Sequence, residues 1–100
     1  MKYGLSPETI EAICSVFAKH TNIEKAILYG SRAKGSFRNG SDIDLVLVGS
    51  KLLLTEQLVI ENEIDDLFLP YKIDLSIFHQ ISNKELVAHI DRVGKLFYQS

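Results

Sequence analysis

Apolar positions in the first third of the chain follow a helical period and then a strand pattern. Ser6-Pro7 is a typical helix start, with a capping serine before a proline at the first helical position. Four apolar side chains then recur at helical spacing: Ile10, Ile13, Cys14 and Phe17. This spacing predicts a helix over about residues 7–20. Residues 25–29 are a short apolar run that ends at Gly30, and we interpret them as the first strand.

The middle of the chain combines a buried-strand pattern with a longer helical one. Residues 42–48 read Asp-Ile-Asp-Leu-Val-Leu-Val and lie between Ser41 and Gly49, which predicts a second strand. A long helix is expected next, ending before Pro70. Its apolar stripe is predicted at Leu54, Leu58, Ile64, Leu67 and Phe68.

The last third of the chain repeats the order of strand and helix. Residues 71–78 alternate, with Ile73, Leu75 and Ile77 on one face, and predict a third strand. Ser82 and Glu85 have the spacing of a capping box, which predicts the start of a final helix. That helix is expected to end with a cap at Gly94, and residues 96–98 predict a short last strand.

The predicted order of elements is α-β-(α)-β-α-β-α-(β). It indicates an α/β domain of the α+β kind, with a small mixed sheet flanked by helices. With 100 residues, the chain is expected to form a single domain over residues 1–100.

Composition narrows the class of protein. The net charge of −2 lacks the basic surplus typical of proteins that clamp a long nucleic acid, so nucleic acid is not expected as the main ligand. The single cysteine, Cys14, excludes an intramolecular disulfide and a cysteine-based zinc site. No signal-peptide pattern and no apolar run of membrane-spanning length are present, so we expect a cytoplasmic protein with no membrane association.

Two carboxylates mark the start of the second strand. Asp42 and Asp44 are two positions apart, so their side chains leave the same face of a strand. Two neighbouring anions repel each other unless a cation joins them. Oxygen-only ligands suit Mg²⁺, which typically binds one or two carboxylates together with substrate phosphate.

A third acid lies on the third predicted strand. Asp74 shares a face with Lys72, Ser76 and Phe78, opposite the apolar face of that strand. The long helix before it is a crossover of the right length to make the second and third strands parallel neighbours. Asp74 would then join Asp42 and Asp44. Three carboxylates can bridge two Mg²⁺ ions that stabilise the attacking and leaving oxygens of an in-line phosphoryl displacement.

The segment after the first strand is suited to bind phosphate. Gly30 lets the backbone approach a phosphate closely, and Ser31 adds a hydroxyl. Arg32 adjoins the serine and is expected to contact the nucleotide, whereas the roles of Lys34 and Arg38 stay open. For this turn to meet the acids at one end of the sheet, the first two strands should be antiparallel.

A P-loop is excluded by two positions. Residues 30–35 match the first six positions of a Walker A loop. The next two residues are Ser36-Phe37, where that motif requires a lysine followed by serine or threonine. The lysine that contacts the phosphates in a P-loop is therefore missing.

The spacing of these motifs is family-specific. Gly30-Ser31, ten further residues and Asp42-Ile43-Asp44-Leu45, with a later strand acid at Asp74, resemble the polymerase-β nucleotidyltransferase superfamily. Within that superfamily, the sequence Gly-Ser-Arg-Ala-Lys-Gly-Ser is similar to the motif of the minimal nucleotidyltransferases, the MNT or MntA-like antitoxins. The resemblance extends from Ile27 to Tyr98.

The resemblance implies a nucleotidyltransferase core with defined roles. Gly30 and Ser31 would hold the phosphates of a nucleoside triphosphate, and Asp42, Asp44 and Asp74 would be the catalytic, magnesium-binding acids. Asp74 would also help to deprotonate the acceptor hydroxyl. The expected reaction is the Mg²⁺-dependent transfer of AMP from ATP to a tyrosine of a partner HEPN-domain toxin, which the transfer silences.

Two other functions remain open at this point. The chain could neutralise a toxin as a stoichiometric binding partner without catalysis. It could also transfer a nucleotide to a small molecule, although the related aminoglycoside enzymes carry an added helical domain for which 100 residues leave no room. The nucleotide base and the oligomeric state, homo- or hetero-oligomeric, are not determined by the sequence.

Overall fold

The computed structural model describes residues 1–100 as a four-stranded sheet with helices on both faces. The elements in chain order are α1 (Pro7–Ala18), β1 (Lys25–Tyr29), α2 (Gly30–Lys34), β2 (Ile43–Val48), α3 (Leu54–Asp65), β3 (Ile73–Ile77), a single 3-10 turn (Phe78–Gln80), α4 (Lys84–Val93) and β4 (Lys95–Gln99). None of the helices has both the length and the apolar character needed to cross a membrane.

The sheet is mixed, and its strand order is β3-β2-β1-β4. β1 runs antiparallel to both β2 and β4, whereas β2 and β3 are parallel. Both strand relationships predicted from the sequence are confirmed. The parallel pair requires a crossover connection, and α3 supplies it.

The strands separate two unequal apolar clusters. The larger one lies between the sheet and the helices α1 and α3 and holds 15 buried residues, among them Ile43, Leu45 and Leu47 of β2. The smaller one, beneath α4, has only three buried members, which are Tyr29, Val46 and Ile90. Because successive side chains of a strand alternate between faces, β2 contributes to both clusters.

The stripe predicted for α3 is confirmed at two positions and wrong at three. Ile64 is buried and Leu67 packs against the core, whereas Leu54 is 58% exposed and Leu58 is 51% exposed. Ile60, which was not predicted, is the other buried residue of this helix. The helix also ends at Asp65, so Phe68 lies outside it with a positive φ of 53°. Apolar residues lie on several sides of this helix, and periodicity alone could not select the side that packs on the sheet.

Smaller differences concern the ends of elements. α1 ends at Ala18 rather than near residue 20, and β2 begins at Ile43, one residue after Asp42. The cap of α4 is Asn83 and not Ser82, because the Asn83 side chain accepts hydrogen bonds from the N–H groups of Glu85 and Leu86. A single asparagine thus satisfies two of the helix-start donors that have no partner within the helix.

Gly94 is the cap residue of α4, as predicted, but for a different reason. Its φ of −59° is not the left-handed conformation of a typical C-terminal glycine. A Cβ at this position would instead collide with the carbonyl oxygen of Ile90 and the side chain of Ile27. The glycine is therefore required by the close approach of the helix end to β1.

Candidate active site

Three aspartates lie at one end of the parallel strand pair. Asp42 immediately precedes β2, Asp44 is the second residue of β2, and Asp74 is the second residue of β3. The register pairs Asp44 directly with Asp74. Asp42 and Asp74 are exposed, whereas Asp44 is half-buried. The parallel topology therefore brings the third acid next to the other two, as the crossover argument predicted.

The electrostatics of this cluster favour a cation. Burial raises the pKa of Asp44, and the negative charges of Asp74 and Asp42 raise it further. The positive charge of Lys72 opposes this rise without cancelling it. A cation beside Asp44 would relieve the repulsion between the carboxylates and favour their charged forms.

The donor set fits magnesium in its chemistry. All three side chains offer carboxylate oxygens, the ligands that this hard ion prefers. No three His, Cys, Asp or Glu side chains are arranged to hold a metal ion by themselves. A Mg²⁺ ion at Asp44 would therefore take one or two of these carboxylates and complete its coordination with substrate phosphate and water, as is usual for Mg²⁺.

The glycine turn packs directly against the acids. Tyr29, the last residue of β1, is opposite Asp44 in the antiparallel register. Gly30 follows with a φ of 74°, and a Cβ at this position would collide with the carboxylate of Asp44. Both the backbone conformation and the close approach require glycine here. The half-buried Ser31, in the first turn of α2, is thereby held next to the aspartates.

The amide groups at the start of α2 are not all free. The first N–H groups of a helix have no partner within it. The N–H of Gly30 donates a hydrogen bond to Nε2 of His89 at 3.2 Å. The N–H and the hydroxyl of Ser31 are further hydrogen-bond donors at this turn.

Arg32 has a different environment from the one expected. Its side chain is only 2% exposed. Its guanidinium donates hydrogen bonds to the carbonyl oxygens of Ser41 and Tyr3 and stacks on the rings of Phe37 and Tyr71. No carboxylate pairs with it. This arrangement does not support the predicted contact between Arg32 and the nucleotide, because its hydrogen-bonding groups already hold the loop that leads to Asp42.

One residue of this region, His89, was missed by sequence reasoning. His89 lies on α4, next to Ile90 on the side that packs on the sheet, and the Tyr29 ring lies edge-on to it at 6.1 Å. Burial raises the pKa of Tyr29, and Asp44 and Asp74 raise it further, while a hydrogen bond to Ser76 opposes the rise. The only sequence signal for His89 was a polar residue beside the apolar stripe of α4, which is too common to indicate a site.

A groove of about 370 Å³ lies elsewhere, between α3 and the beginning of β3. Leu58, Glu61 and Tyr71 are among the residues that line it. None of the three aspartates, and neither Gly30 nor Ser31, belongs to this lining. The candidate catalytic residues therefore lie at the end of the sheet and not in this groove.

Comparison with known proteins gives a family match by sequence. The family model described as "Polymerase beta, Nucleotidyltransferase" matches residues 11–100. No curated protein matches the chain.

Several solved structures share the fold. A toxin–antitoxin complex with AMP-PNP aligns with a TM-score of 0.74 and 16% identity, over 91% of this chain and 73% of that one. The MntA–HepT toxin–antitoxin aligns with a TM-score of 0.70 and 13% identity, over 95% and 74% of the two chains. A complex of an MNT antitoxin with the tri-AMPylated HEPN toxin of Shewanella oneidensis aligns with a TM-score of 0.68 and 14% identity, over 93% and 71%. At these identities the likeness establishes the fold.

Proposed function

Because the chain belongs to the polymerase β nucleotidyltransferase family and is therefore a nucleotidyltransferase, we propose that it transfers AMP from ATP to a protein hydroxyl. The acceptor we propose is a tyrosine of a HEPN-domain toxin, so that the chain acts as the antitoxin of a toxin–antitoxin pair. Magnesium is the proposed cofactor, and the cytoplasm is the proposed setting because ATP is the donor.

The structural neighbours support this choice of donor and acceptor. One of them holds AMP-PNP, an ATP analogue, and another is an antitoxin bound to an AMPylated HEPN toxin. The present chain shares their fold over more than nine-tenths of its length.

The observation that carries the proposal is the pairing of Asp44 with Asp74 across two parallel strands, with Gly30 packed against Asp44. The proposed phosphate-binding turn and the proposed metal-binding acids are thereby adjacent. β3 is an edge strand, and Asp74 on it is exposed. A hydroxyl of another protein can therefore approach Asp74 from solvent.

Each of these residues has its own role in the proposed transfer. The N–H and hydroxyl of Ser31 bind the phosphates of ATP. The acceptor oxygen attacks the α-phosphorus and forms a new P–O bond, while the bond to the bridging oxygen breaks and pyrophosphate leaves with its electron pair. Asp74 takes the proton of the acceptor hydroxyl. Magnesium, held by Asp44 together with Asp42 or Asp74, would supply positive charge that stabilises the attacking and leaving oxygens.

The direct test is an incubation with magnesium, the partner toxin and ATP labelled at the α-phosphate. We expect label to appear on the toxin with the wild-type chain and not with the Asp42→Ala, Asp44→Ala double variant. The matched control is Asp65→Ala, Asp66→Ala, which removes two exposed carboxylates at the end of α3. Label on the toxin from the Asp42/Asp44 variant at the wild-type rate would refute the proposal.

The same double variant separates catalysis from simple binding. If neutralisation is catalytic, cells that express the toxin should not be protected by the Asp42→Ala, Asp44→Ala chain. Full protection by that chain would indicate a stoichiometric binding partner. Label found on a small molecule other than ATP, ADP or AMP, with none on the toxin, would instead indicate a small-molecule acceptor.

A further inference from the structure

His89 connects α4 to the turn that begins α2. Its Nε2 accepts the hydrogen bond of the Gly30 N–H at 3.2 Å, across 59 positions of sequence. An acceptor nitrogen carries no proton, so the hydrogen of the neutral imidazole is on Nδ1. The contact therefore defines both the orientation and the tautomer of the ring.

The ring is held in place from a second side. The buried ring of Tyr29 lies nearly perpendicular to it, with an interplanar angle of 82° and 6.1 Å between the ring centres. Tyr29 is itself 7% exposed and packs with Val46 and Ile90. His89 thus presents its acceptor from a packed surface, which limits the entropy lost when the hydrogen bond forms.

Gly30 lies between two side chains that constrain it. His89 contacts its N–H, and the carboxylate of Asp44 occupies the space next to its Cα. With both sides occupied, the peptide group that leads from β1 into α2 has a single position available. Ser31, the next residue, is held at a defined position relative to Asp44.

From these contacts we infer that His89 is a positioning residue that holds the Gly30-Ser31 turn against Asp44 for nucleotide binding. The inference rests on the proposed function, because it assigns His89 a role at the same site. His89 acts through the backbone of Gly30. It also uses one amide of the turn, that of Gly30, which leaves the N–H and the hydroxyl of Ser31 to bind phosphate.

Two substitutions test the role of the acceptor. His89→Gln places an amide oxygen near the position of Nε2 and retains an acceptor, whereas His89→Leu keeps a similar volume without one. We expect His89→Leu to weaken the binding of Mg²⁺–AMP-PNP by about five- to tenfold, the worth of one hydrogen bond. The Gln variant should stay within about twofold of wild type. Titration calorimetry on the full chain measures both affinities.

A control and a second measurement keep the outcome interpretable. His79→Gln changes an exposed histidine outside α4 and should leave the affinity unchanged. Exchange of the Gly30 amide hydrogen, followed by NMR, reports the hydrogen bond without any nucleotide. We expect faster exchange in His89→Leu than in wild type and His89→Gln, at equal melting temperatures.

Equal affinities of the Leu variant and wild type, or equal losses in the Leu and Gln variants, would overturn the inference. If wild type does not bind Mg²⁺–AMP-PNP at all, the proposed function fails. The inference is then decided by the Gly30 exchange rates alone: it is overturned if these are the same in wild type and His89→Leu.

Discussion

The same strands form both faces of the sheet, but one face supplies most of the buried core and the other carries Asp44. On β2, Ile43, Leu45 and Leu47 are fully buried under α1 and α3, whereas Asp44 points to the other face and is half-exposed. The first face belongs to a cluster of 15 buried residues and the second to a cluster of three. Stability is concentrated on one face, which leaves the other free to hold mutually repelling carboxylates.

The comparison also explains where the costs of the site are located. Placing like charges side by side and partly out of water raises the free energy of the folded chain. At the sheet end near Asp44 the packing is thin, so these charges remain partly hydrated. Substitutions on the two faces should therefore have separable effects on activity and on stability.

The largest expected effect comes from removing the charge of Asp44, on the face of the sheet that carries the candidate site. We expect Asp44→Asn to lower nucleotidyl transfer by at least about a thousandfold, roughly 4 kcal/mol of activation free energy, because a neutral amide binds Mg²⁺ poorly. The free energy of unfolding should stay unchanged or rise, since a repelling charge is lost. Initial rates and urea unfolding measure the two quantities. Asp66→Asn is the control. A large loss of stability in Asp44→Asn would contradict the claim that effects on activity and on stability are separable between the two faces.

The complementary change removes a large side chain from the larger apolar cluster, on the other face of the sheet. Phe17 is fully buried and packs edge-on against Tyr98 at 5.7 Å. We expect Phe17→Ala to lower the free energy of unfolding by about 3–5 kcal/mol, the usual cost of such a cavity. Chemical denaturation measures it. Phe68→Ala, at a position that is 88% exposed, should change stability by less than about 0.5 kcal/mol, and similar values for the two variants would contradict the location of the core.

Arg32 lies on α2, directly after Ser31, and sharpens the comparison because it is a site residue predicted from the sequence that is buried in the structure. We expect Arg32→Lys to lower the free energy of unfolding by about 1–3 kcal/mol, because a lysine cannot hold both carbonyl oxygens and stack on two rings. Arg38→Lys, at an exposed position, is the matched control. Unaltered stability together with weaker ATP binding would restore the original prediction that Arg32 contacts the nucleotide.

The smallest expected effect is a change of stability with pH, which depends on His20. His20 lies between Glu56 and Glu63 of α3. Burial alone would lower the pKa of His20, but the hydrogen bonds to Glu63 and Glu56 outweigh it and raise the pKa. A raised folded-state pKa means that this contribution to stability is complete below the unfolded value and is lost as the pH rises through the folded value.

The pKa values of Glu56 and Glu63 shift in the opposite direction. The hydrogen bonds to Asn22 and His20 lower the pKa of Glu56, and the hydrogen bond to His20 lowers that of Glu63. Their contribution is therefore lost as the pH falls through those lowered values. We expect urea midpoints to decrease modestly from pH 6 to pH 8 in wild type and to change less in His20→Gln. Transfer activity per folded molecule should not follow this change.

Much of the fold was predictable because its signals are local. β1 was predicted with its observed bounds, and the antiparallel and parallel strand pairs followed from the connections between elements. The buried face of α3 was only partly predictable: Ile64 was expected and is buried, but Leu54 and Leu58 are as apolar as Ile60, which was not expected. Only the shape of the sheet surface decides which of these three residues is buried.

For the site, the sequence by itself determined which chemical groups are present and in what order. Gly30-Ser31, Asp42, Asp44 and Asp74 stand at spacings that the alternation of strands and the crossover rule bring to one sheet end. Tertiary structure decided how those groups are held. Arg32 is buried by contacts with residues far from it in the chain, and the hydrogen bond from Gly30 to His89 also joins distant positions. Such contacts depend on how whole elements pack together, and no local sequence pattern indicates them.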